Sequence, residues 1–161
     1  QNTEREGAEM NMDRQQKLKE VREAIDAGNQ VRSFLHEARA EMDSAASFGF
    51  ADMMGLDLIG GIGKHMKIGK AKMRIQDAQD AMIRFRKEVL DIHEVFDLRI
   101  DIGEFMGFAD VLIDGLGGLF LDYMVQRRID EGRREIDNAL WKMNSAIEKL
   151  TELEMKLIRE G

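Results

Sequence analysis

The sequence predicts an all-α chain: a long antiparallel three-helix bundle, up-down-up, forming a single domain over residues 1–161. Three observations carry that expectation. Apolar residues recur at three-four spacing in three separate stretches, which is the signature of helices packed on one another. No proline interrupts the 161 residues, so very long helices are permitted. A Gly/Phe/Asp motif stands between the stretches twice, and no stretch alternates like a strand.

The first helix is expected over about 8–46, on Leu18, Val21, Ile25, Gly28, Val31, Leu35, Ala38, Met42 and Ala45. Its spacing slips once, where Val31 rather than Arg32 takes the apolar place, and a local change of supercoil is expected there. The first Gly/Phe motif follows over about 47–63: Phe48-Gly49-Phe50-Ala51-Asp52, then Asp57-Leu58-Ile59-Gly60-Gly61-Ile62. The second helix, about 64–101, has the cleanest stripe, from Ile68, Ala71, Ile75 and Ala78 through Met82, Phe85, Val89, Ile92 and Phe96. The motif returns over about 102–120 as Met106-Gly107-Phe108-Ala109-Asp110 and Asp114-Gly115-Leu116-Gly117-Gly118-Leu119. The third helix, about 121–160, repeats the stripe from Val125 to Leu157, with Leu140 and Ile147 widening it toward a second neighbour. Lys17 to Val21 also echoes as Arg74 to Ala78 and Arg128 to Gly132. The chain thus reads as an internal repeat with a period of roughly 55 residues. Helices of about 35 to 40 residues run about 55 to 60 Å, and short connections would join them up-down-up.

Composition narrows the chemistry. The net charge of -7 gives no reason to expect nucleic acid as a partner. The absence of Cys removes disulfides, thiolate metal sites and Cys nucleophiles, and fits a reducing compartment. Gln1 to Glu9 is polar, unlike a secretory signal, so a cytoplasmic setting is expected. The most apolar stretch, Val111 to Val125, is too short for a membrane span and is interrupted by Asp114 and Asp122.

Each motif has a plain reading beside a sharper one. Gly60-Gly61 and Gly117-Gly118 suggest a phosphate loop, but no strand precedes them and no Ser or Thr follows, so close helix approach is the better account. Phe50 and Phe108 are expected to plug the core ends, while Asp52 and Asp110 cap the starts of short helices. Asp57 and Asp114 would cap as well, since neither motif offers enough oxygen ligands for a cation. His36-Glu37 and His93-Glu94 echo each other, yet the Glu-x-x-His pattern of di-metal bundles is missing. No Ser has the strand-to-helix setting of a nucleophile. Lys64 to Arg74 is the one local anomaly, with five positive charges and no acid in an acidic chain. Lys64, Lys67, Lys70, Lys72 and Arg74 could contact an anionic surface, or could pair with acids on other helices such as Glu37, Glu41, Asp43, Glu152 and Glu154.

The function expected is a non-catalytic helical scaffold or protein-interaction module that self-associates. The alternative is peripheral binding to an anionic membrane surface through region 56–74. A third reading is a helical bundle that binds a small ligand near a Gly motif. No catalytic residue, cofactor or metal is expected. The partners expected are a second copy, another helical protein or an anionic membrane surface.

Overall fold

The computed structural model describes residues 2–53, 60–96 and 126–160, with side chains over 3–47, 69–92 and 129–160. Among the described residues the chain is helical and contains no strand: α1 (Asn2–Met53), α2 (Gly60–Phe96) and α3 (Gln126–Arg159). The Glu160 N–H closes the last turn on the Lys156 carbonyl at 3.1 Å. The helices run about 78, 55 and 51 Å at 1.5 Å per residue.

Three boundaries depart from the expectation, the first being the start of α1 at Asn2 rather than near residue 8. α1 does not stop near residue 46 but continues through Phe48-Gly49-Phe50-Ala51-Asp52 to Met53. Asp52 therefore lies one residue from a helix end and does not cap a helix start. α2 begins at Gly60, which puts Gly60 and Gly61 in its first turn rather than in a connection. Glycine inside a helix costs about 1 kcal/mol relative to Ala, far less than proline, so it weakens a helix without ending it. The second motif, with Phe108, Asp110, Gly117 and Gly118, lies outside the described residues, as does Asp57.

The core is one apolar cluster drawn from all three helices. On α1 the buried residues are Val21, Ala24, Gly28, Val31, Leu35, Ala38, Met42 and Ala45. That alternation of three and four has no slip. The bulkier Ile25 had stood for Ala24 in the sequence stripe, and Ile25 is only partly buried. On α2 the stripe from Ala71 to Ile92 is buried as expected. On α3 Leu140 and Ile147 join Ile136, Met143 and Leu150 in the core. Each fully buried Leu, Ile, Phe or Met contributes about 1.5–3 kcal/mol by leaving water.

Gly28 marks the place where the three helices meet. A Cβ built on it would stand 3.1 Å from Ile147 Cγ1 on α3 and 3.2 Å from Phe85 Cε2 on α2. Only the missing side chain lets both neighbours approach so closely.

Polar pairs across the seams fix the directions. Arg22 meets Glu154, Arg32 meets Asn144, Arg39 meets Asp137, and Asp43 meets Arg133. Each step up α1 is matched by an equal step down α3. Glu37 meets Arg74 and Gln30 meets Arg84, so α2 also descends as α1 ascends. Both helices oppose α1 and are parallel to one another. The up-down-up expectation is corrected on this point: apolar stripes carry no direction, and the order had rested on assumed short connections. α1 is the hub, in extensive contact with α2 and with α3. Its first turns extend past both partners, and residues 3–13 are all exposed.

Candidate functional site

Two clusters of charge flank the core, one on each seam of α1. On the α3 seam, Arg39 is central. Its Nε donates to Asp137 Oδ1 at 2.7 Å and its Nη2 to Asp137 Oδ2 at 3.2 Å, while Nη1 reaches Asp43 on its own helix. Arg133 contacts the same Asp43 carboxylate at 2.9 Å and Asp130 at 3.3 Å. The hydrogen bonds to Asp137 are the main reason the guanidinium holds its proton more tightly than usual, with Asp43 adding to it and burial opposing it. Paired two-point contacts of this kind set the register of α1 against α3.

On the α2 seam, Glu20 and Glu23 from α1 converge with Glu88 from α2, with carboxylate oxygens within 4.8 Å of one another. Burial pushes the Glu88 carboxyl above its ordinary range, and Glu23, Asp91 and Glu20 push the same way against Lys87. Gln16 donates to Glu20, and Lys19 stands 3.6 Å from Glu23. Three carboxylates are hard-cation ligands, though exposed acidic groups commonly gather without an ion. The trio acts as a repulsive spot on the seam. Glu20 and Glu23 stand three residues apart on α1 and Glu88 lies beside the α2 stripe, which makes the meeting readable once the antiparallel register is known.

The expected basic cluster divides. Lys64 and Lys67 lie in the first turns of α2, and their side chains are outside the described ones. Lys70 and Lys72 are exposed. Arg74 is exposed but paired with acids of the same chain: Nε lies 2.9 Å from Glu37 on α1 and Nη1 lies 3.1 Å from Asp77. Of the acids named as possible partners, Glu37 is the one that meets it. The other sequence-marked residues are not brought into one site. Phe50 and Asp52 belong to the last turns of α1, whereas Gly60 and Gly61 open α2. His36 is exposed on α1, and the antiparallel register sets the backbone of His93 about 25 Å further along the bundle.

The outward face of α3 was not singled out by the sequence. Trp141 is 69% exposed and Met155 48% exposed. They are 14 residues apart, four helical turns, so both point away from the core. A lone Trp at an outer heptad position was the available signal. No helix among the described residues is long and apolar enough to cross a membrane. The chain matches no family model, no curated protein and no solved structure.

Proposed function

We propose that the chain is a non-catalytic helical scaffold that associates with a second copy of itself through the outward face of α3. The observation that carries this reading is Trp141, a large side chain left in water on a helix whose other side fills the core. Trp is the residue type most enriched at the energetic centres of interfaces. Met155 lies two heptads further along the same line, with Glu148 between them, and Ile158 adds apolar surface beside it. The charged groups described above serve the seams of α1, which leaves this face for a partner.

Trp141 is the only Trp in the chain, so its fluorescence reports on this face alone. A blue shift that grows with protein concentration, in step with a dimer in sedimentation velocity, is expected. Trp141→Glu should leave the helix content unchanged and keep the protein monomeric. Solvent-like emission and a monomer at every concentration would defeat the reading.

A second reading rests on Lys70 and Lys72, which are exposed and make no ion pair among the described residues. They would let the start of α2 contact an anionic membrane surface, each adding about 1 kcal/mol at low salt. Co-sedimentation with phosphatidylserine vesicles, abolished by Lys70→Glu with Lys72→Glu, supports it. No salt-sensitive binding by the unaltered protein refutes it.

A further inference from the structure

The charges on the outward face of α3 stand in an order that fixes the direction of a partner laid on it. Arg134, Trp141, Glu148 and Met155 follow at intervals of seven, so they form one row along that face. All four are exposed. Arg133, Asp137 and Glu154 of the same helix are bound to α1. Arg134 and Glu148, by contrast, have no ion pair or hydrogen bond among the described residues. The row therefore presents a free cation two turns before the ring and a free carboxylate two turns after it, each about 10 Å from Trp141. Beside the ring lie Asn138, exposed, and Ser145, half-buried. Both are short, so a second helix can approach closely there.

This order complements itself when reversed. In an antiparallel copy with a twofold axis at Trp141, ring meets ring, and Arg134 of each copy comes opposite Glu148 of the other. Two ion pairs then flank one aromatic contact, and the matched stretch, 134–148, spans about 21 Å. A parallel copy in register sets Arg134 on Arg134 and Glu148 on Glu148, and like charges repel. A parallel copy shifted by four turns regains one ion pair, but its interface is head-to-tail and leaves an unfilled site at each end.

We propose that the second copy lies antiparallel on α3 across a twofold axis at Trp141, with Arg134 of each copy paired to Glu148 of the other. The proposal rests on the self-association through Trp141 argued above, and it adds the direction and the register. Trp141 supplies the apolar contact, while the two ion pairs exclude the parallel arrangement.

Charge reversal in the full-length chain tests it, with the dimer followed by sedimentation velocity and the helix content by circular dichroism. Arg134→Glu turns both ion pairs into carboxylate pairs and should weaken the dimer about 10-fold or more at low salt, and less as salt screens the charges. Arg134→Glu with Glu148→Arg rebuilds both pairs in the opposite sense and should restore the dimer. Because the chain has no Cys, a single spin label at Glu152→Cys, an exposed position outside the matched stretch, reports the direction separately. Labels on the two copies should stand about 33 Å apart along the axes. A dimer that is indifferent to Arg134→Glu overturns the proposal, as does one that the doubled variant fails to restore. A label separation below about 25 Å, as either parallel arrangement would give, overturns it too. If Trp141→Glu still abolishes the dimer in those cases, association through Trp141 stands and only the antiparallel register is lost. A monomer at every concentration ends both readings.

Discussion

Replacing Gly28 by Ala should destabilise the protein, although the same change in an exposed helix would stabilise it. Removing glycine from a helix interior contributes about 1 kcal/mol in favour of the folded state. Against that gain, the new Cβ would sit 3.1 Å from Ile147 Cγ1 and 3.2 Å from Phe85 Cε2. Carbon atoms prefer about 3.5–4.0 Å, so both neighbours must yield by several tenths of an ångström. Ile147 is 8% exposed and has some room, whereas the Phe85 ring is fully buried and has little. Overpacking of this kind costs about 1–3 kcal/mol, so the net loss should be between about 0 and 2 kcal/mol. A loss of 1 kcal/mol would appear as about 2–4 °C in thermal melts of a chain this size. The diagnostic is the background. With Phe85→Leu already present, the clash on the α2 side is relieved and Gly28→Ala should become neutral or stabilising. Denaturant melts of the four proteins would give a coupling of about 0.5–3 kcal/mol. A simple gain of about 1 kcal/mol in the wild type, additive with Phe85→Leu, would show that the helices do not converge at Gly28.

Other changes follow from the same geometry. Phe85→Ala removes the largest fully buried side chain among the described residues and should cost about 3–5 kcal/mol in denaturant melts. Glu88→Gln should stabilise the protein at neutral pH. Its folded carboxyl holds its proton above the ordinary value of 4.5, so ionising it costs stability as pH rises through that raised range. The advantage of Gln should vanish below the ordinary value, and equal stabilities at neutral pH would refute the repulsion. Arg39→Ala should cost about 1 kcal/mol, with the loss shrinking in high salt as screening removes the exposed part of its pairing. Residues 3–13 should exchange amide hydrogens fastest among the described helices, because an unsupported helix of that length is marginal in water.

Much of the architecture was legible in the chain. The α2 stripe from Ala71 to Ile92 and the α3 stripe from Ile129 to Leu157 stand where the three-four spacing puts them, because burial on one face enforces that period. Arg74 with Glu37 was open to inspection as one possible pairing of a basic row with acids elsewhere. Ala24 was misplaced in favour of Ile25 because hydrophobicity was weighed above register, and a small residue at a tight seam is often the buried one. Gly49 and Gly60 misled because glycine marks both helix ends and helix interiors. The direction of α3 was not legible at all. It depends on pairs such as Arg39 with Asp137, 98 positions apart, and nothing in either helix alone specifies them. The acidic trio was hidden for the same reason, since Glu88 meets Glu20 and Glu23 only in one register.

The direction of α3 against α1 is the claim on which the rest depends, and a pair of engineered disulfides tests it directly. Arg22→Cys with Glu154→Cys joins positions whose side chains now touch at 2.6 Å. Arg22→Cys with Arg133→Cys joins positions about 30 Å apart along the bundle, yet near one another if α3 ran alongside α1 in the same direction. Mild oxidation of dilute protein should close an intramolecular disulfide in the first variant and not in the second. Closure of the second pair with failure of the first would contradict the account.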